Sequence, residues 1–248
     1  MRSSPSSPQR PGIRFLAEAL ESVAKQTYRP IQHLVTIDGA ERAERARSII
    51  ADTQVDIIEL PYATGQDRYN GHRIYGAATF LAKGEILCFL DEDNWMDADH
   101  VESLVHVIGK GNEWAFSLRK IVDQEGRFVC PDNCESLGKW PTVLSPKDYL
   151  VDVNCFMLPK DLAVRLTPIW NRKAREPGVV EVDRLLTKAL RANTRKYDTN
   201  YSYTLNYRAG SSPTSVKQSF FLNGNAKMAK QFPVGFPWTR PTRNPRPA

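Results

Sequence analysis

Residues Ala82 to His100 read A-K-G-E-I-L-C-F-L-D-E-D-N-W-M-D-A-D-H. The apolar run from Ile86 to Leu90 is short and β-prone, and Gly84 precedes it, so it predicts a buried strand of a parallel sheet. Three consecutive acids, Asp91 to Asp93, follow this run directly. Open α/β sheets bind their ligands at the carboxyl ends of the strands, so these acids are well placed for binding.

Clustered carboxylates at a sheet edge favour a hard divalent cation. Mg²⁺ and Mn²⁺ prefer oxygen ligands and commonly use one or two carboxylates together with substrate phosphates. Acids after a strand can equally form a solvated turn or cap a helix. Asp97 fits the second role, because a helix carrying Val101, Leu104, Val105 and Ile108 on one face is predicted to follow it.

Composition indicates one globular domain. A chain of 248 residues is long enough to bury a sizeable core. The longest apolar run is too short to span a bilayer, and the first residues lack the apolar segment of a secretory signal, so a cytoplasmic location is expected.

The net charge of +6 is unevenly distributed along the chain. Seven bases and no acid follow Asp198, so the first 198 residues carry a net charge of −1. The Pro-rich setting of the last bases favours a solubilising tail. A basic surplus confined to one end, without a recognisable binding motif, argues against a nucleic-acid partner.

Apolar periodicity predicts an alternation of strands and helices in the first half of the chain. The predicted elements are a helix at Ile13–Lys25, a strand at His33–Ile37, a helix at Ala40–Ala51, a strand at Val55–Leu60 and a helix at His72–Ala82. This alternation predicts an α/β fold with a doubly wound, mostly parallel sheet and helices on both faces.

The second half has a less regular pattern. Its predicted elements are a hairpin of Glu113–Leu118 with Phe128–Cys130, a strand at Asp152–Leu158, a helix at Glu181–Arg191, a strand at Tyr201–Tyr207 and a helix at Phe220–Phe232.

Four stretches occur in the order found in a known enzyme family. They are F-L-A-E-A-L-E-S-V-A-K-Q-T-Y-R-P at 15–30, H-L-V-T-I-D-G-A at 33–40, N-G-H-R-I-Y-G-A-A-T-F-L-A-K-G-E-I-L-C-F-L-D-E-D at 70–93 and V-E-V-D-R-L-L at 180–186. Together they resemble the inverting family 2 glycosyltransferases with a GT-A fold, most strongly from Arg14 to Val107. The resemblance implies a single GT-A domain, a nucleotide-diphospho-sugar donor, a divalent metal (Mn or Mg) and a glycan, lipid-linked or small-molecule acceptor.

The resemblance also implies roles for donor-side residues. Asp38 would contact the base or ribose of the donor, and Arg68 lies in the loop that handles the donor. Asp91 and Asp93 would form the metal-binding D-x-D motif, with Asp93 on the metal and Asp91 on the metal and the sugar or ribose. The alternative for Asp38 is an ordinary turn at the end of a strand.

The acid at the head of the last-quoted motif would be the catalytic base. Asp183 is the first candidate and Glu181 the second. A base that removes the proton of the acceptor hydroxyl contributes roughly 10²–10⁴-fold to the rate. Both residues can alternatively be acids favoured by the dipole at a helix start.

The predicted organisation is a flexible N-terminus at 1–12, a nucleotide-sugar-binding half at 13–110, an acceptor-binding half of the same domain at 111–235 and a basic Pro-rich tail at 236–248. Where the family carries its first strand, this chain has S-S-P-S-S-P-Q-R-P-G, which does not suit an apolar strand. We therefore expect the protein to begin upstream of Met1. The alternative is a truncated or inactive relative that binds nucleotide-sugars or glycans. The sequence has no Q-x-x-R-W motif and no membrane span, which favours non-processive transfer.

Overall fold

The computed structural model describes residues 11–65, 68–69, 71–176, 181–212 and 215–239. Most of the predicted flexible segment 1–12, and residues 240–248 of the predicted tail, lie outside these ranges. The helices are α1 (Pro11–Ala24), α2 (Ala40–Ile50), α3 (Arg73–Leu81), α4 (His100–Gly109), α5 (Lys160–Trp170), α6 (Val182–Asn193) and α7 (Gln218–Gln231). The strands are β1 (Leu34–Asp38), β2 (Asp56–Leu60), β3 (Ile86–Cys88), β4 (Trp95–Met96), β5 (Trp114–Val122), β6 (Phe128–Pro131), β7 (Phe156–Pro159) and β8 (Tyr197–Arg208).

The strands form two sheets. β1 and β2 pair in parallel as a two-stranded sheet. The larger sheet has the order β3-β7-β5-β8-β4, with β6 paired to β5. Within it, β5 and β8 are parallel, whereas β3–β7, β4–β8, β5–β6 and β5–β7 are antiparallel.

The α/β class is therefore correct, but the expectation of a mostly parallel sheet is wrong. The apolar run after Gly84 forms β3, and its strand partner in the described chain is the antiparallel β7. A strand covered on both faces has a continuous apolar pattern whichever way its neighbours run. The pattern thus reports burial, and strand direction depends on distant pairings that it does not contain.

Helices cover both faces of the larger sheet. Ala115 of β5 and Met157 of β7 pack against Leu104 and Val107 of α4. The adjacent side chains along these strands point the other way, as the two-residue period of a strand requires. They join the main core with buried side chains of α5, α6 and α7, which include Leu162, Leu166, Leu186, Leu190, Phe221 and Met228.

The main core extends beyond the predicted domain limit at residue 235. Trp238 is fully buried in it, and its indole nitrogen donates a hydrogen bond of 2.8 Å to Asn133 Oδ1. The C-terminal end of the described chain is therefore packed into the core as far as Trp238. None of the described helices is both long and apolar enough to cross a bilayer.

Two local features differ from the sequence-based expectation. Helix α5 has no counterpart among the predicted elements, and it contains Pro168, a residue that normally interrupts helices. Asp97 does not cap α4, which has Asp99 at its N-cap position. The Asp97 carboxylate instead accepts hydrogen bonds from Lys120 Nζ at 2.6 Å and Asn206 Nδ2 at 2.9 Å.

A charged cluster lies inside the main core. Arg119 of β5 is 2% exposed, and its guanidinium donates hydrogen bonds to Asp132 and Glu135, both at 2.8 Å, and to Asp152. The ring centroid of Tyr207 lies 4.3 Å from the guanidinium carbon. Removing one partner from a buried ion cluster leaves the others uncompensated, which is strongly destabilising.

We expect Arg119→Met to lower the free energy of unfolding by about 3–5 kcal/mol, because three buried carboxylates lose their shared cation. Urea unfolding at pH 7 measures the change. Arg127→Met is the matched control, since Arg127 also pairs with two acids but its side chain is 75% exposed. Equal losses in the two variants would contradict a special role for the buried cluster.

Candidate active site

The D-x-D turn lies just beyond β3, where three elements meet around Asp91. The phenol of Tyr75, from α3, donates a hydrogen bond to Asp91 Oδ1. Asn154, in the 3₁₀ turn Val153–Cys155, donates from Nδ2 to Asp91 Oδ2 at 2.8 Å and accepts from the Asp91 amide at 2.5 Å. These contacts fix both the backbone and the carboxylate of Asp91.

Packing behind the turn fixes Tyr75 in its place. The Tyr75 ring lies 5.4 Å, centroid to centroid, from both Phe89 and Trp170, and Phe89 and Trp170 are themselves 5.4 Å apart. Gly76 permits the close approach of α3 and α5, because a Cβ there would lie 3.0 Å from Trp170 Cβ. Helix α5 therefore supports the residue that orients Asp91.

Asp93 is positioned by β8 and the segment after it. Arg208, which is 2% exposed, donates from Nε to the Asp93 carbonyl at 3.1 Å and also pairs with Glu18 of α1. The hydroxyl of Ser211 hydrogen-bonds the Asp93 side chain. Both Asp91 and Asp93 are half-buried, so the turn is rigid yet open to a ligand.

The site disfavours ionised carboxyls when nothing is bound. Burial and, next, the charge of Asp93 raise the pKa of Asp91 to about 7, against the opposing hydrogen bonds from Tyr75 and Asn154. Burial likewise raises the pKa of Asp93, opposed by the hydrogen bond from Ser211. A cation at this turn would relieve the repulsion between the two carboxylates.

Asp183 belongs to the same electrostatic cluster. It lies in the first turn of α6, and its pKa is raised well above the ordinary value by burial and then by the charges of Asp152 and Asp91. Arg119 and the Val153 backbone N–H oppose this rise. The structure thus brings Asp183 to the D-x-D end of the sheet, although the two lie in different halves of the sequence.

Glu181 takes a different position from Asp183. It is the N-cap residue of α6, and its carboxylate lies 3.8 Å from Arg175 Nε. Its half-exposed side chain lines an open groove.

Asp38 ends β1, and its carboxylate holds the loop that follows β2. Its two oxygens accept hydrogen bonds from the amides of Thr64, at 2.7 Å, and Gly65, at 3.3 Å. This is a structural role of the kind expected for a turn residue. A contact between Asp38 and the base or ribose of a donor stays a prediction.

Arg68 connects two loops at the exposed side of the site. Its guanidinium donates to the Arg175 carbonyl at 2.9 Å, and its own carbonyl accepts from the Ala174 amide at 3.0 Å. The loop after β2 is thereby joined to the segment that precedes α6. Contact between Arg68 and a donor also stays a prediction.

Comparison with known proteins matches the N-terminal half of this arrangement to a family model. The model described as "Glycosyl transferase family 2" matches residues 13–143, which is more than half of the chain. The chain belongs to glycosyl transferase family 2. No curated protein sequence gives a significant match.

Solved structures share the GT-A fold of this family 2 member. A crystal structure of S. aureus TarS 1-349 in complex with UDP has a TM-score of 0.58 at 16% identity, over 82% of this chain and 59% of that one. A second, in complex with UDP-GlcNAc, has a TM-score of 0.59 at 17% identity, over 81% and 56%. The chain therefore spans less than two thirds of the length of these structures.

The described residues contain no group of three or more His, Cys, Asp or Glu side chains arranged to hold a metal ion. Asp91 and Asp93 are the two carboxylates of the D-x-D pattern at the turn. Two carboxylates suit a cation that takes its remaining ligands from substrate phosphates and water. The residues present are therefore compatible with the metal that the family 2 resemblance implies, although not with a closed protein cage.

Sequence reasoning missed the residues that orient the D-x-D acids. Tyr75 and Asn154 bond Asp91, and Asp152 joins Asp183 to the Arg119 cluster. Asp152 to Asn154 is predicted only as the start of a strand, and Tyr75 only as part of a helix. One sequence signal could have found two of them. Asp152 and Asn154 are polar residues two positions apart at the start of an apolar predicted strand, so their side chains are expected on one face.

We expect the stability of the metal-free protein to fall as the pH rises through about 7. The Asp91 pKa is raised in the folded state to about 7, whereas it is about 3.9 in an unfolded chain. Between these two pKa values the folded state therefore binds more protons than the unfolded state. The resulting stabilisation is complete below the unfolded-state pKa and is lost above the folded-state pKa.

Replacing Asp91 with Asn should remove this part of the pH dependence. The free energy of unfolding of Asp91→Asn minus that of the wild type should therefore increase from pH 5 to pH 8. The prediction concerns this increase and not the difference at pH 5. Urea unfolding in EDTA measures it, with Asp52→Asn, an exposed aspartate, as the variant matched for loss of one carboxylate. A constant difference between Asp91→Asn and wild type across this range would contradict the assignment.

Proposed function

We propose that this chain is a glycosyltransferase that moves one sugar from a nucleotide-diphospho-sugar to an acceptor hydroxyl with inversion, metal-assisted and non-processive. The observation that carries the proposal is the single electrostatic cluster formed by Asp91, Asp93 and Asp183. It supplies carboxylates for a donor and a separate carboxylate for an acceptor. Membership of family 2 supports the same reaction class.

Asp91 and Asp93 would hold the divalent metal together with the donor diphosphate. When bound, such a cation offsets the negative charge that develops on the departing diphosphate. Tyr75 and Asn154 keep the Asp91 carboxylate in a fixed orientation, so little reorganisation is needed when a donor binds. UDP is the first nucleotide to test, because the similar TarS structures are complexes with UDP and UDP-GlcNAc.

Asp183 would act as the catalytic base. In an inverting reaction the acceptor oxygen attacks the anomeric carbon from the side opposite the leaving group, and its proton passes to the base. Asp183 must be ionised for this step. Because its pKa is raised, the ionised Asp183 carboxylate is a strong proton acceptor. A cation bound with the donor would neutralise the charge of Asp91 and so remove one of the causes of that rise. Donor binding would thereby favour ionisation of the base.

The donor site is tested by thermal shift with UDP, GDP, CDP and dTDP, each with and without Mn²⁺. We expect one diphosphate, UDP first, to stabilise the protein in a metal-dependent way, by about 2.7 kcal/mol at 100 times its Kd. Asp93→Asn should lose the shift while still folding, as monitored by circular dichroism. No shift with any nucleotide would contradict the donor proposal.

The base is tested by comparing Asp183→Asn with Glu181→Gln, which differ by two positions at the same helix start. We expect Asp183→Asn to lower the rate of transfer roughly 10²–10⁴-fold without weakening the nucleotide shift. Glu181→Gln should retain most of the activity. The reverse ranking would make Glu181 the base, and nucleotide binding without transfer by the wild type to any acceptor tried would favour a binding protein without catalysis.

A further inference from the structure

A concave surface lies on the side of α6 that faces away from the core. It is formed by α6, the segment Lys147–Tyr149 and Arg175, with a cavity volume of about 480 Å³. Its basic side chains are Lys147, Arg175, Arg184, Lys188 and Arg191. We call this surface the basic groove.

The sequence of α6 explains why the bases line up. Arg184, Lys188 and Arg191 are spaced i, i+4 and i+7, so they share one face of the helix. Val182, Leu186 and Leu190 face the core and are buried. With a rise of about 1.5 Å per residue, the three bases extend over about 10 Å along the helix, which suits a ligand with several charges better than one isolated anion.

The acids in the groove do not balance this charge. Asp148 accepts from Arg184 Nε at 3.0 Å and from the Thr142 hydroxyl at 2.6 Å, and Glu181 is 3.8 Å from Arg175. Arg184 also pairs with Glu135 at 3.0 Å, so its own charge is balanced. The other four bases face one remaining acid, Glu181, which leaves a surplus of three positive charges.

The five bases are not equivalent in their fixed contacts. Arg191 donates to the Gly138 carbonyl at 2.8 Å and stacks 3.5 Å from the Tyr149 ring centroid, so it is rigidly placed. Lys147 and Lys188 are exposed, and neither side chain has an ion-pair partner among the described residues. The groove thus combines fixed guanidinium groups with two lysines that are free to bind.

The groove reaches the N-terminal end of α6, although Asp183 itself does not line it. Glu181 lines it and lies two residues before Asp183, the proposed base. Asp38, Asp91 and Asp93 do not line it, so its charge is separate from the donor diphosphate site. An acceptor with its hydroxyl at Asp183 would therefore pass around the helix start at Glu181 to reach the bases of α6.

We propose that the basic groove binds the acceptor through anionic groups, phosphate or carboxylate, that repeat along it. This inference rests on the proposed function, because it uses Asp183 as the point where the acceptor reacts. Arginine forks bind both kinds of oxyanion in a bidentate manner.

The test measures binding of two probes, inorganic tripolyphosphate and tri-galacturonate, by titration calorimetry in EDTA at fixed ionic strength. Without metal, the repelling carboxylates at the D-x-D turn disfavour anion binding there. We expect Lys147→Glu combined with Lys188→Glu to weaken binding about tenfold or more, as expected for the loss of charge-assisted hydrogen bonds. The matched control is Lys227→Glu combined with Lys230→Glu on α7, which makes the same charge change at two exposed lysines.

The outcomes separate the chemistries and the two proposals. A groove-dependent loss for tripolyphosphate alone supports a phosphate-bearing acceptor, and one for tri-galacturonate alone supports a carboxylate-bearing acceptor. No binding of either probe, or equal losses in the groove and control variants, overturns the groove proposal. The nucleotide shift should be the same in all these variants, so a missing shift refutes the donor site independently of the groove.

Discussion

The buried guanidinium of Arg119 is the interaction on which the rest of the structure depends. It holds Asp132, Glu135 and Asp152 inside the core. Asp132 and Glu135 share the turn that follows β6, whereas Asp152 precedes the 3₁₀ turn Val153–Cys155. Glu135 also accepts from Arg184 of α6, and Asp152 lies beside Asp183. The cation that organises the loops of the core therefore also sets the electrostatic environment of the proposed base.

The two sides of the site are built by different means. The proposed donor side is a tight turn after β3, held by hydrogen bonds from Tyr75, Asn154 and Arg208. The proposed acceptor side is the start of α6, whose placement depends on apolar packing of Leu186 and Leu190 and on its ion pairs. The electrostatic coupling of Asp91 to Asp183 is the physical connection between them.

Local pattern was sufficient to predict most helices and strands and the position of the acids. The D-E-D run, the α6 acids and the amphipathic stripes are all short-range signals, and the structure places them at one end of the larger sheet. Strand direction, the three partners of Arg119 and the Asn154 contact depend on residues far apart in sequence, which periodicity does not encode. Helix α5 was missed because tertiary packing of Leu162, Leu166 and Trp170 outweighs the effect of Pro168.

Arg208 has a consequence for any experiment that alters the start of the chain. It contacts Glu18 and the Phe15 ring of α1 on one side and the Asp93 carbonyl on the other. Helix α1 is thus mechanically connected to the D-x-D turn through one side chain. A fusion partner or affinity tag that changes the position of this helix would also change the position of the D-x-D acids, so the choice of expression format is itself a perturbation of the site.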